Sequence, residues 1–334
     1  MRRHSRQGQP PSPQRQSRKR HRALCSVAMT LSVVTLGACS SSADTVAARH
    51  DAVQHSLDAL VSEDGLPAAL ASIQDRNGNS HNYTAGVGDL TTATGRRRKD
   101  RTRHPHRDLP TRTRPRRRDR RPQHHHPPTP PTHQRTPPGT SWKYSNTNYV
   151  LAGLLVQKIT EKPLAEEMNR RIFAPIDLQH TYFPEPYDEK ISELHPRGYY
   201  RESSDAPPVD ITEIDPSWGW AAGQLISTTS DLNQFLHALL DGRLLPAAQL
   251  DQMRTTVPAE ETFGPDARYG LGLVSRPLPC GGLSWSHGGS FPGYETRGGA
   301  TDDGREANIA VSMQVVDDAT RRKLEHAVDI ALCR

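Results

Sequence analysis

From Asp51 to Val61 the apolar residues Val53, Leu57, Leu60 and Val61 fall three or four apart, the spacing that gathers them on one face of a helix. The period then shortens to two. Ala68–Gln74 and His81–Gly88 read as strands joined through Asp75–Asn79, a tight turn in which Asn77-Gly78 would supply positive φ values. After Gly95 the pattern vanishes: residues 96–138 are almost wholly Arg, His, Pro and Thr, and Leu109 is their one aliphatic member. Helical spacing returns beyond Gly139 with Val150, Leu151, Leu154, Leu155 and Ile159, then with Leu164, Met168 and Ile172 behind a helix-opening Pro163. Ser227–Ser230 offers a cap for an amphipathic helix whose apolar face holds Leu232, Phe235, Leu236, Leu239 and Leu240, stopped by Gly242. Past Tyr269 the period is again that of strands, at Gly270–Val274, Leu283–His287, Tyr294–Arg297 and Asn308–Val315, before a last helix from about Thr320 to Leu332. Strands at both chain ends with helices between them predict an α+β domain: one antiparallel sheet assembled from the two termini, flanked by helices, with an inserted helical lobe.

Charge changes the picture in two places. A formal net charge of +6 would fit a nucleic-acid binder, but the excess sits in residues 1–22, with 8 basic residues and no acid, and in residues 96–138, with 15 basic residues against Asp100, Asp108 and Asp119. Elsewhere 20 basic residues face 34 acidic ones. The part able to fold is acidic, so no nucleic-acid partner is expected. Residues 96–138 cannot bury a core and are expected to be disordered. Three readings compete there: a basic arm for an anionic polymer, a weak metal site using His104, His106, His124, His125, His126 and His133, or a GC-rich gene translated out of frame. The frame error is favoured, because the segment interrupts a globular pattern instead of ending one; no metal or other cofactor is expected.

The start reads as an export signal, with basic residues through Arg22 followed by the apolar run Ala23–Leu36, too short for a stable membrane span. Leu36-Gly37-Ala38-Cys39 is like a bacterial lipobox, which would make Cys39 the acylated residue and anchor the exported protein to the outer face of the membrane; the alternative is a signal peptide that happens to contain Cys. The long basic leader points to a start codon further in. Cys25 would leave with the signal, so Cys280 and Cys333 remain as an even pair in an oxidising compartment, where a disulfide is favoured over two buried thiols. The expected organisation is a signal peptide with lipobox at 1–39, a tether at 40–50, the first part of the α/β subdomain at 51–95, the Arg/His/Pro-rich segment at 96–138, and the helical lobe with the C-terminal sheet at 139–334.

Two short motifs carry chemistry. Tyr144-Ser145-Asn146 stands just before a helix, and 143 positions later Ser286-His287-Gly288-Gly289-Ser290 ends a strand in a glycine-rich stretch that a ligand could approach closely. Each alone reads as a turn. In this order, with Trp218–Leu232 between them, they are specific. The sequence resembles the serine penicillin-binding family of D-alanyl-D-alanine carboxypeptidases, class C β-lactamases and related esterases, over roughly residues 51–95 and 139–334. That resemblance implies the serine β-lactamase/penicillin-binding fold, incomplete in this chain, with Tyr144 as general base or acid, Asn146 binding the substrate carbonyl, and His287-Gly288-Gly289 as the strand motif. It further implies that the backbone N–H near Ser290 forms half of an oxyanion hole, that Trp218 is a cleft aromatic, and that Cys280 and Cys333 pair as in the carboxypeptidase branch. A tyrosine base needs nearby cations, and His287 would supply that charge only in part.

The chain departs from the family at the centre of the chemistry: Ser-x-x-Lys, which supplies nucleophile and cation one helical turn apart, occurs nowhere in it. Ser17-Arg18-Lys19 and Ser141-Trp142-Lys143 have the wrong spacing to share a helix face. The expectation is therefore a monomeric serine hydrolase that would act through an acyl-enzyme on peptidoglycan stem peptides or β-lactams, inactive as written. A non-catalytic peptidoglycan or penicillin binder is the alternative, and an anionic-polymer binder using the basic segment a more distant one.

Overall fold

A computed structural model of the chain describes residues 42–92, 137 and 139–333. The signal peptide, Cys39 and all of the Arg/His/Pro-rich segment but Pro137 lie outside the described residues. The first helix, α1 (Ser42–Ser62), begins ahead of the expected Asp51 and takes in most of the stretch read as a tether. It is followed by β1 (Ala68–Gln74) and β2 (Ser80–Gly86), then by α2 (Asn146–Thr160), α3 (Leu164–Met168), and the short strands β3 (Tyr199–Tyr200) and β4 (Val209–Asp210). Next come α4 (Thr229–Leu240), α5 (Ala247–Arg254), β5 (Val257–Pro258), α6 (Glu260–Phe263), β6 (Arg268–Tyr269), β7 (Val274–Pro277) and β8 (Leu283–Ser286). The chain closes with β9 (Gly289–Phe291), β10 (Tyr294–Thr301), β11 (Glu306–Val311) and α7 (Asp318–Leu332).

Nine strands form one sheet in the order β2-β1-β11-β10-β8-β7-β6-β5, with β9 beside β10. The pairing of β1 with β11, Ala71 opposite Ile309, is where the two ends of the chain meet. Alternation along β11 explains how one strand serves both faces of the sheet. Ala307, Ile309 and Val311 join Val53, Leu57 and Leu60 of α1 and Leu324, Val328 and Leu332 of α7 in one core. Each such fully buried leucine contributes roughly 1.5–3 kcal/mol through the apolar area it removes from water. The intervening Glu306 and Asn308 lie beneath α4: Asn308 Nδ2 donates to Asn233 Oδ1 at 2.7 Å, and Asn233 Nδ2 donates to Ser72 O at 2.9 Å. Thr228 caps α4 by accepting from Asp231 N, and Gly242, at φ +73°, ends it.

Two local expectations are corrected, and a third element forms as expected but leaves its apolar face exposed. In the β1–β2 turn only Gly78 takes a positive φ (+81°), because Asp75 Oδ1 accepts from both Asn77 N and Asn79 N and fixes the remaining residues. Gly270–Val274 is not one strand. A Cβ at Gly270 would lie 2.1 Å from Met253 O and Gly272 has φ +86°, so the chain leaves the sheet to follow α5 before β7 resumes. Finally, the apolar face of α2 is exposed: Leu151, Leu154, Leu155 and Ile159 keep 58, 50, 59 and 72% of their surface. Cys280, in the β7–β8 turn, and Cys333, which ends α7, are joined with their Cα atoms 5.6 Å apart.

Candidate active site

Ser145 decides where α2 begins. Its extended backbone (φ −153°, ψ 128°) and a side chain accepting from Thr147 N make it the N-cap, so Asn146 is the first helical residue and Tyr144 stands just ahead. Asn146 is exposed and its side chain has no hydrogen-bond partner among the described residues. The end of β8 comes to the same place. The Tyr144 and His287 rings lie 6.0 Å apart, within a cluster that also holds Tyr149, Phe263 and Tyr269. Phe263 stacks on Tyr269 at 5.0 Å, Trp142 stacks on Tyr269 at 5.4 Å, and the Tyr149 and Tyr269 hydroxyls are hydrogen-bonded. A cavity of about 420 Å³ opens beside this cluster, lined by Trp142, Tyr144, Tyr149, Tyr269 and Leu271 among others.

The cluster sets the protonation of its polar groups. Burial, then the neighbouring Tyr149, push the Tyr144 hydroxyl above the ordinary phenol range. His287 moves the other way: burial, with a smaller push from the charge of Arg297, holds its pKa below the usual value against the hydrogen bond to Gly288 O, which raises it. His287 Nδ1 lies 2.7 Å from Gly288 O, which can only accept, so Nδ1 carries the hydrogen and Nε2 is the free acceptor. The lowered pKa favours the uncharged ring and so weakens the partial cation expected of it for Tyr144.

Beyond His287, β9 lies against β10 with Gly289 opposite Thr296 and Ser290 opposite Glu295. Space is tight at both glycines: a Cβ at Gly288 would fall 2.9 Å from Arg297 Nη1 and 3.0 Å from Thr296 O, and one at Gly289 would fall 3.0 Å from Thr296 Oγ1. Ser290 Oγ donates to Glu295 Oε2 at 3.1 Å and accepts from Gln314 Nε2 at 3.2 Å. Trp218 ends a short helical turn opened by Asp215 and is largely exposed; it stacks on Phe291 at 4.9 Å, which brings it beside the strand motif. Tyr144 and His287 are thus brought together, and Trp218 joins Ser290's neighbour, whereas Asn146 is exposed with no side-chain partner among the described residues.

Sequence reading passed over Tyr149, Phe263, Tyr269, Phe291, Glu295 and Arg297. For the last two a signal existed: charges two apart within Tyr294–Arg297 share one face of a strand whose surroundings are apolar, and charges so placed need partners. The aromatic residues carried no such mark.

A model of the beta-lactamase family matches residues 56–331. A penicillin-binding protein of Bacillus subtilis (strain 168) is 28% identical over 169 residues, 48% of this chain and 37% of that protein. The chain spans less than half the length of the curated relatives it matches first. Among solved structures, a D-stereospecific amidohydrolase from Streptomyces sp. aligns with a TM-score of 0.64 at 27% identity, covering 84% of this chain and 98% of that one. The D-amino acid amidase of Ochrobactrum anthropi SV3 shares the fold, with a TM-score of 0.63 at 21% identity over 85% of this chain and 97% of that one. With the family match running from α1 into α7 and the sheet built as in these neighbours, the chain belongs to the beta-lactamase family, the serine hydrolases of β-lactamase and penicillin-binding type.

Proposed function

We propose that the cleft beside Tyr144 and His287 receives a D-configured amide, a D-alanyl-D-alanine peptide end or a β-lactam, and that this chain binds such a ligand without forming an acyl-enzyme. One observation carries the reading: Tyr144 and the His287-Gly288-Gly289 strand adjoin in space at 6.0 Å between rings, while Ser-x-x-Lys is absent from all 334 residues. Acyl transfer needs a hydroxyl to attack the carbonyl carbon, a base to take its proton, and an acid to return that proton to the leaving nitrogen. Tyr144 can handle the proton, but a raised pKa leaves it a phenol at neutral pH, and among the described residues no hydroxyl is hydrogen-bonded to it for activation. Ser290 is a poor substitute, since its Oγ is committed to Glu295 and Gln314. The likeness to a D-stereospecific amidohydrolase supports a D-amide as the ligand class.

A fluorescent penicillin tests this. The chain as it stands should show no covalent label on a denaturing gel, and a chain given Ser-x-x-Lys between the β1–β2 hairpin and Tyr144 should label. In that chain Tyr144→Phe should slow labelling by about two to four orders of magnitude, the loss expected for a general base. Covalent labelling of the unaltered chain would overturn the reading. The same proposal puts the protein on the outer face of the membrane through acylated Cys39, where Cys280 and Cys333 would stay oxidised. Cys39→Ser should then release it into the medium, and an unchanged membrane fraction would sink that part.

A further inference from the structure

Beneath the Gly288-Gly289-Ser290 strand lies a buried charge cluster that no role above uses. Glu295, in β10, keeps only 1% of its surface exposed, and a carboxylate at that depth persists only when paired and hydrogen-bonded. Its Oε2 accepts from Ser290 Oγ at 3.1 Å and from Val315 N at 3.1 Å. Its Oε1 meets Arg297 Nη2 at 2.6 Å and Arg321 Nε, from α7, at 3.8 Å. Arg297 in turn donates from Nη1 to Thr296 O at 2.8 Å and reaches Gly289 O at 3.4 Å, and its Nε lies 3.7 Å from Glu325.

The strand above this cluster needs support. β9 has three residues and pairs only with β10 among the described strands, so its backbone ladder alone holds it weakly. Glu295 grips it from below through Ser290. Arg297 fills the space that Gly288 leaves open and bridges the Gly289 and Thr296 carbonyls. Both grips reach α7, Glu295 through Arg321 and Arg297 through Glu325, and Glu295 is also held by Val315 N in the segment that follows β11.

We propose that Glu295 and Arg297 are positioning residues that hold the Gly288–Ser290 strand in the register the cleft requires, Glu295 through the Ser290 hydroxyl and Arg297 through the Gly289 carbonyl. The inference rests on the reading of that cleft as a ligand site, but its geometric half stands on the hydrogen bonds alone. The test uses the full chain and two measurements: hydrogen exchange over residues 287–291 with residues 68–74 of β1 as the internal reference, and the affinity for benzylpenicillin. Ser290→Ala, at an exposed position, should leave thermal stability nearly unchanged, raise exchange over 287–291 by about ten-fold and weaken binding by a similar factor, the loss of one hydrogen bond to a charged acceptor. Ser290→Thr, which returns a hydroxyl, should restore both. Glu295→Gln should act in the same direction and more strongly. Unchanged exchange over 287–291 in Ser290→Ala, or a Glu295→Gln whose loss of protection is the same in β1 as in β9, would overturn the proposal by showing a purely structural cluster. If benzylpenicillin fails to bind the unaltered chain, the cleft reading fails, and the exchange result still decides whether Glu295 holds the strand through Ser290.

Discussion

α7 and α2 are both 15 residues long and both show an apolar stripe in their sequences, yet only α7 buries it. Asp317 caps α7, and Leu324, Ala327, Val328, Ala331 and Leu332 then pack on the sheet with exposures of 4% or less. In α2 the one buried residue is Gly153, pressed so close to Ala221 and Trp220 that a Cβ would stand 2.6 Å from Ala221 Cβ. The four large apolar residues on its other side meet no cover among the described residues. Periodicity therefore reports that a helix face is built for burial without saying what buries it. The stretch that precedes α2 in sequence, residues 96–138, has Leu109 as its only aliphatic residue.

The largest expected effect lies on the α7 side. The link from Cys280 to Cys333 closes a loop across a separation of 53 residues, and its loss in Cys333→Ser should remove about 4 kcal/mol on the chain-entropy account. Urea unfolding with and without reductant measures it; two titratable thiols in unreduced, unfolded protein would show that no link forms. Next, the helices should answer the same substitution differently. Leu324→Ala, at a fully buried site, should cost about 3 kcal/mol, whereas Leu155→Ala, 59% exposed, should shift the unfolding midpoint by less than about 0.5 kcal/mol. A large loss at Leu155 would mean that its face is covered in solution.

The smallest effect tests the other face of the sheet. Glu306 is 1% exposed, and burial pushes its pKa from 4.5 up to about 7 even though His237 Nδ1 is 2.8 Å away. A carboxyl whose folded pKa is raised binds its proton more tightly in the folded state. Its stabilisation is complete below pH 4.5, is lost as pH rises toward 7, and changes little above that. Glu306→Gln should abolish this decline, matching the parent at pH 4 and exceeding it at pH 8 by roughly 2 kcal/mol in urea unfolding. A parent curve flat across that interval would mean that His237 keeps the carboxylate ionised and paired.

Much of the fold was legible because its signals are local. Alternation marked β1, β2, β8, β10 and β11, helical spacing with caps marked α4, a last helix was expected near α7, and strands at both ends implied a single sheet from the two termini. The strand at Gly270–Val274 was misread because Leu271 and Leu273 alternate correctly, while the obstacle is the Met253 carbonyl from α5, a contact absent from any local window. At the site, order along the chain singled out Tyr144 and His287. That Tyr149, Phe263 and Tyr269 surround them could not be read, since these rings come from α2, α6 and β6 and meet only after the sheet has formed.

Residue identity settled which groups are available: a tyrosine and a histidine motif in family order, no Ser-x-x-Lys, and a single aliphatic residue in 43 positions ahead of α2. Folding settled their states. The His287 pKa is lowered because burial and Arg297 disfavour its charged form, Ser290 is tied down because Glu295 lies beneath it, and the α2 leucines stay in contact with solvent. Covalent chemistry depends on which atoms the chain carries, whereas charge, register and burial depend on distances between residues far apart in sequence.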